Sequence, residues 1–434
     1  MIVPYIILLV IIVAYIIDFK KSYVIVVLLS SWIQQFSFLP KISLSQVVIF
    51  LSVAFFVMKI DKNRTRERNI FSFSIFFLSV SYFLSCYFSV GERHNLILMT
   101  SICGLFYITM FWNIVKNSPS TLIVFSKAAL VYAVFCGTYI VFEAISQTNP
   151  VVEYFNNSGA YIQTYLIDSI RYGVKRCQGV FSMHTTAGAV CLSLAYLVWH
   201  LYYRTKLFLN IHPIIILYAI VTCSAGVFLT GARSAIVGFA VCILLFLPVV
   251  KRNFFSYFLV GIIVLFLMSP YLDLVFSSFY DTESVTGSNI DLRETQFRIA
   301  FLFWSHNWWI GNGLNYTFEN ALSRYPDLMG AESVWLSLVI DRGLLGIISF
   351  SFFLITSFYY CYKEKSVFLV LFLFGFLMFF TLSSIPNYSF YIPLIYVIAM
   401  IESKKQFGKT KADKNIELIR KQYLLKANPM KSLT

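Results

Sequence analysis

In this chain of 434 residues, 59% are hydrophobic and only 12% charged, against about a quarter charged in soluble globular domains. Apolar runs of sixteen or more residues recur along nearly its whole length; this excludes a soluble enzyme, and the short alternating segments of a β-barrel do not stand out. The net charge of +14 does not point to nucleic acid, because most of the excess lies in loops and the tail, the pattern of cytoplasmic segments in a membrane protein.

The expected fold class is an all-α polytopic integral membrane protein with about 12–14 transmembrane helices, thirteen favoured, and a large folded loop on the outer (periplasmic) face. In chain order the spans fall at about 2–18, 23–39, 43–58, 70–90, 96–115, 122–144, 179–199, 213–230, 235–250, 254–271, 332–362, 366–384 and 388–401. The first apolar run lacks a cationic n-region and a small-residue cleavage site, and Lys20 and Lys21 follow it. It therefore reads as a retained helix and not a signal peptide. Residues 1–271 hold the first ten spans, with a smaller outer-face loop at 145–178. Residues 272–331 form the large loop, 332–401 the remaining spans, and 402–434 a basic tail suited to anionic headgroups.

Orientation follows from charge. Residues 59–68 hold five basic residues against two acidic, and the chain after Ile401 holds nine against three. Both are placed in the cytoplasm by the positive-inside rule, leaving the large loop outside. The eight cysteines fall mostly inside apolar runs with no CxxC, so they are expected to be free core thiols with no disulfide frame. The five histidines form no metal spacing and no phosphate-loop motif is present. No metal, nucleotide or other cofactor is expected.

The large loop is long and rich in Trp304, Trp308, Trp309, Tyr316 and Tyr325. That favours a folded cap with an apolar underside over disorder. Around it stand arginines that the positive-inside rule would not put outside: Arg171 and Arg176, Arg233 in a tight turn, and Arg293 and Arg298 in the loop. Each could snorkel or pair with a loop carboxylate; together they suit an anionic ligand, because guanidinium matches phosphate bidentately. His184 suits either a cavity wall or a buried structural position. Glu332 opens the long run 332–362, where a carboxylate is favoured by the helix dipole or could serve as a general base. That run is too long for one straight span. A break is expected near Gly343, which would leave Asp341 and Arg342 in protein or in a wet cavity.

Four segments carry a family resemblance. Thr230-Gly-Ala-Arg-Ser-Ala resembles the T-G-S/A-R-[ST]-A signature of the O-antigen ligase/polymerase superfamily of bacterial membrane glycosyltransferases. Gly311-Asn-Gly313 resembles its G-x-G, which follows a loop arginine matched by Arg298. Glu332 to Gly346 resembles its post-loop helix ending E-x-G-L-L-G, and Arg176-Cys-Gln-Gly-Val-Phe181 its R-x-x-G-x-F. The resemblance implies an active site on the outer face of the cytoplasmic membrane, with undecaprenyl-pyrophosphate-linked glycans as donor and acceptor. Arg233 and Arg298 would hold the pyrophosphate with Arg176 in support, and Glu332 would act as base. Arg171, Arg293, His184, Asn312 and Tyr316 are the further candidates for touching substrate. Ligases of this superfamily are similar to one another in carrying histidine where this chain has Glu332, which implies a polymerase. A ligase and a polysaccharide flippase are the alternatives. Membrane lipids are expected partners, and whether a chain-length regulator binds is left open.

Overall fold

The computed structural model describes residues 2–39, 42–59, 70–158, 170–171, 174–181, 183–232, 234–240, 290–328, 333–366, 369 and 392–409. The expected spans at 254–271 and 366–384, the end of that at 235–250, and the tail beyond 409 lie outside them.

Helix α1 (Ile2–Leu28) is broken at Asp18, whose φ of −147° and ψ of 88° are not helical. The break is a reversal. Ser22 Oγ donates to Ala14 O at 2.9 Å, whereas eight residues of straight helix rise about 12 Å. Tyr5 likewise reaches Phe38 O at 3.2 Å. Asp18 stabilises the turn by accepting from Lys21 N at 3.2 Å and pairing with Lys21 Nζ at 2.8 Å. The two expected spans are therefore two antiparallel arms. The second ends early, in the short helix α2 (Ser30–Ile33), and the chain then forms a small antiparallel pair, β1 (Ser37–Leu39) with β2 (Ile42–Ser43).

Next come α3 (Leu44–Lys59), α4 (Ser72–Phe88), α5 (Asn95–Asn117) and α6 (Pro119–Ser146), each close to its expected span. The loop expected on the outer face contains a short helix, α7 (Pro150–Ser158), and a second minimal strand pair, β3 (Ile170–Arg171) with β4 (Val174–Lys175). Helix α8 (His184–Arg204) starts five residues later than the expected 179, because Gly179 sits at φ +61° and holds the chain in a loop. Then follow α9 (Pro213–Leu229), α10 (Ile290–His306), α11 (Val334–Lys363) and α12 (Ile392–Phe407). Helix α12 runs six residues past the expected end.

Among the described residues α5, α6, α8 and α11 are long and apolar enough to cross a membrane, α1 matches them in length and composition only if counted across its reversal at Asp18, and α3, α4 and α9 are shorter apolar helices. Alpha-helices α6, α8 and α9 pack on one another, and α4 packs on α11. Large side chains such as Ile6, Leu9 and Ile17 of α1 and Ile214 and Leu217 of α9 are exposed. A soluble monomer rarely leaves such an apolar surface bare; a lipid-facing one must. The seven described cysteines are buried and free.

The bundle has two ends. At one, Lys59 Nζ donates to Tyr15 O at 3.0 Å, Gln406 Nε2 to Val115 O at 3.0 Å, and Lys206 N to Phe407 O at 2.9 Å. These contacts gather the Lys59, Lys116, Arg204 and Lys404 regions on one side. At the other, Gly91 N donates to Asn312 O at 2.7 Å and Cys177 N to Leu229 O at 3.0 Å. Helix α4 runs antiparallel to α11 between them: Phe71 meets Tyr360 at the basic end, and Ser85 meets Asp341 towards the other.

Candidate active site

The non-basic end is organised around a break in α11. Gly343 has φ +59° and ψ −152°, a region open essentially to glycine alone. The break stands where the length of the run put it. It leaves 344–363 as a straight segment of about 30 Å at 1.5 Å per residue, the thickness of a hydrocarbon core. The carbonyls and N–H groups released at the break are taken up by the segment after α10. Asn312 N donates to Ile340 O at 2.9 Å and Gly313 N to Asp341 O at 3.0 Å, while Leu344 N and Leu345 N donate to Trp308 O and Trp309 O at 2.9 and 3.0 Å. Gly311, at φ +74°, lies so close that a Cβ would overlap the backbone of Asp341 and Arg342. Two backbones meet here with no side chain between them.

Residues 290–328 build a cap on this junction. Ile299, Ala300 and Phe303 of α10 bury with Ala321, Leu328 and, from α11, Leu336 and Ile340. Asp341 ties the cap down: its Oδ1 accepts from Thr317 N at 2.8 Å and Thr317 Oγ1 at 2.6 Å, while its backbone carbonyl accepts from Ser85 Oγ at 2.6 Å. Trp308 and Trp309 remain half exposed beside the break.

A second cluster surrounds Arg176. Its Nη2 donates to Gly231 O at 3.3 Å, and the neighbouring Cys177 N–H to Leu229 O at 3.0 Å. Arg176 is thereby seated on the tight turn that follows α9. Buried Glu143 of α6 holds this loop from beneath, accepting from Gln178 N at 3.0 Å and Gly179 N at 2.6 Å, while Asn149 Nδ2 donates to Gly179 O at 2.8 Å. Burial, chiefly, and the nearby Glu143 push the Cys177 thiol up to about 12, so it stays protonated and is no nucleophile. His184 opens α8 half-buried, and one turn later Gly188 packs against Thr230 and Ala232 of the same turn.

The expected site residues fare differently. Arg233 and Glu332 lie outside the described residues, although their flanks, Ala232 and Ser333, lie inside. Arg171 and Arg293 are placed only by their backbones, in β3 and α10. Arg298 points outward, with its side chain 78% exposed and Nη2 3.0 Å from Glu294. Asn312 is buried and its amide is committed to protein: Nδ2 donates to Phe303 O and Ile340 O at 3.2 and 3.0 Å, and Oδ1 accepts from Asn307. Tyr316 packs edge-on against Phe303. Arg176 is the described arginine that the fold brings to the turn preceding Arg233. Sequence reasoning gave no role to Glu143, whose place in an apolar run announces a partner without naming it, or to Thr317, one polar residue among many in the loop.

Among the described residues, Glu92, His94 and Glu319 are the group that could ligate a cation, with donor atoms within 4.8 Å of one another. They come from two segments that the Gly91–Asn312 contact brings together, so no local spacing reveals them. His94 Nε2 lies 2.7 Å from Glu319 Oε2, and this pair accounts for the contact without a metal.

Residues 218–351 match the family model described as O-antigen ligase. Residues 218–351 carry a domain of the O-antigen ligase/polymerase superfamily. The matched stretch begins in α9 and ends in α11, so it takes in the turn beneath Arg176, the cap and the broken helix. This family is one of glycosyl-transferring membrane enzymes of the O-antigen pathway. No curated protein matches the chain.

Proposed function

We propose that the protein is a lipid-linked oligosaccharide polymerase, joining undecaprenyl-pyrophosphate-linked repeat units on the outer face of the cytoplasmic membrane. The observation that carries the site is the seating of Arg176 on the 229–231 turn, the turn that leads in sequence to Arg233. In the reaction an acceptor-sugar hydroxyl attacks the anomeric carbon of the donor. The bond from that carbon to the phosphate oxygen breaks, and the configuration inverts. Glu332 takes the hydroxyl proton, an effect worth about 10²–10⁴-fold. Arg176 and Arg233, with Arg298 from the cap, stabilise the charge on the departing pyrophosphate.

Glu332 in place of histidine favours polymerase; the family description itself favours the second reading, a ligase that transfers finished glycan to a lipid acceptor. The test is the surface-glycan ladder of a deletion strain complemented with Glu332→Gln. Loss of the ladder with a single repeat unit retained on the acceptor, at unchanged protein level, is expected. A normal ladder would overturn the base assignment. Loss of every unit from the acceptor, with polymer accumulating on its carrier lipid, would make the protein a ligase.

A further inference from the structure

Arg342 is 4% exposed, yet among the described residues its Nε and Nη1 have no hydrogen-bond partner. Among the described residues no carboxylate lies within ion-pair distance of its guanidinium. The adjacent Asp341 is not available to it, because that carboxylate is turned to the backbone N–H and hydroxyl of Thr317. The guanidinium instead lies over the ring of Tyr82 on α4, 3.8 Å from its centroid. The side chain has room because residue 346 is glycine: a Cβ there would overlap that of Arg342. A buried cation that keeps only an aromatic face is costly, and a charged residue in the interior of a membrane bundle marks a ligand or a partner.

Depth narrows the ligand. Arg342 immediately precedes the break, where Leu344 N and Leu345 N bind the carbonyls of half-exposed Trp308 and Trp309. Exposed tryptophans sit at headgroup level. The guanidinium thus stands at the depth of lipid phosphates, at the end of the bundle that carries Arg176. Unpaired guanidinium N–H groups are donors suited to phosphate oxygens.

We infer that Arg342 binds a phosphate group of a membrane-embedded lipid where α4 crosses the break in α11. The lipid is a polyprenyl pyrophosphate if the function proposed above holds, and the choice of lipid alone rests on that function.

The test uses the full-length protein in phosphatidylcholine nanodiscs, with titration of polyprenyl pyrophosphate followed by native mass spectrometry. Competition by phosphatidylglycerol and the melting temperature in detergent are measured alongside. Arg342→Gln is expected to weaken binding by roughly tenfold to a hundredfold, the worth of a hydrogen bond to a charged group. Arg342→Lys should restore part of it, and neither variant should melt below the wild type. Wild-type affinity in Arg342→Gln, or a lowered melting temperature with unchanged affinity in the folded fraction, would overturn the inference. Arg342-dependent selection of phosphatidylglycerol, with no binding of polyprenyl pyrophosphate, would keep it and sink the proposed function. Binding of the pyrophosphate that depends on Arg176 but not on Arg342 would do the reverse. Failure of the wild type to bind either lipid would overturn both.

Discussion

Two buried or half-buried cations on α12 and α11, Lys405 at one end of the bundle and Arg342 at the other, are treated in opposite ways. At the basic end, Lys405 lies 2.8 Å from buried Glu402 and 3.2 Å from Glu364, and Tyr360 completes Glu402 at 2.8 Å. Lys59 is held by the carbonyls of Tyr15 and Ile16. At the other end, Arg342 is buried over Tyr82 with no acceptor for Nε or Nη1 among the described residues, and Asp341 serves Thr317 instead. Among the described residues, the Lys405 charge is taken up within the protein and holds α11 to α12. At the second, the backbone holds the structure, through the junction of Gly311 with Gly343, and cationic charge is left over. That difference is what the proposed lipid-phosphate contact of Arg342 rests on.

The largest effect expected bears on the backbone junction. Gly343→Ala forces a φ of +59° with ψ near −152° on a residue with a side chain and puts a Cβ 2.7 Å from Gly311 N and Trp308 O. It should cost about 3 kcal/mol or more, read as a lower melting temperature in detergent and faster proteolysis of the cap. A variant as stable as the wild type would mean that the cap is not anchored at the break. A smaller loss is expected at the basic end. Lys405→Met removes the cation from a carboxylate that is 2% exposed and should cost about 1–2 kcal/mol, whereas neutral substitution of Arg342 should not destabilise. Equal losses at both positions would erase the contrast. The smallest effect is at Arg298, whose pair with Glu294 is solvent-exposed on both sides. Arg298→Ala should change stability by no more than about 0.5 kcal/mol, so any loss of polymer in that variant reports on substrate and not on folding.

The legible parts of the fold were those written in local pattern. Apolar length marked α3 to α6, α9 and α11 to within a few residues, and the length of the run at 332–362 placed the break. The shortened second arm was not foreseen, although Ser30-Ser31 and Gln34-Gln35 interrupt its apolar run before β1 and β2 take the chain out of helix. Nor was the start of α8, where Gly179 holds a loop that apolar composition would let continue as helix. At the site, the motif flanking Arg176 was visible, but the seating of that side chain on Gly231 was not. The exposure of Arg298 and the internal use of the Asn312 amide were equally invisible, since residue type gives the donors a side chain carries and not the acceptors it meets.

By itself, then, the sequence determined the class of protein, the segregation of basic segments to one end, the break at Gly343 and, within residues 218–351, the motifs shared with the O-antigen ligase/polymerase superfamily. These follow from composition, period and short spacing, all properties of neighbours along the chain. The tertiary structure decided which charges are satisfied. Ser85 reaches Asp341 across 256 positions, Thr317 takes the Asp341 carboxylate across 24, and Glu143 holds the loop of Arg176 across more than thirty. A buried charge takes its character from the acceptor that folding brings to it, and that acceptor is rarely a neighbour in sequence.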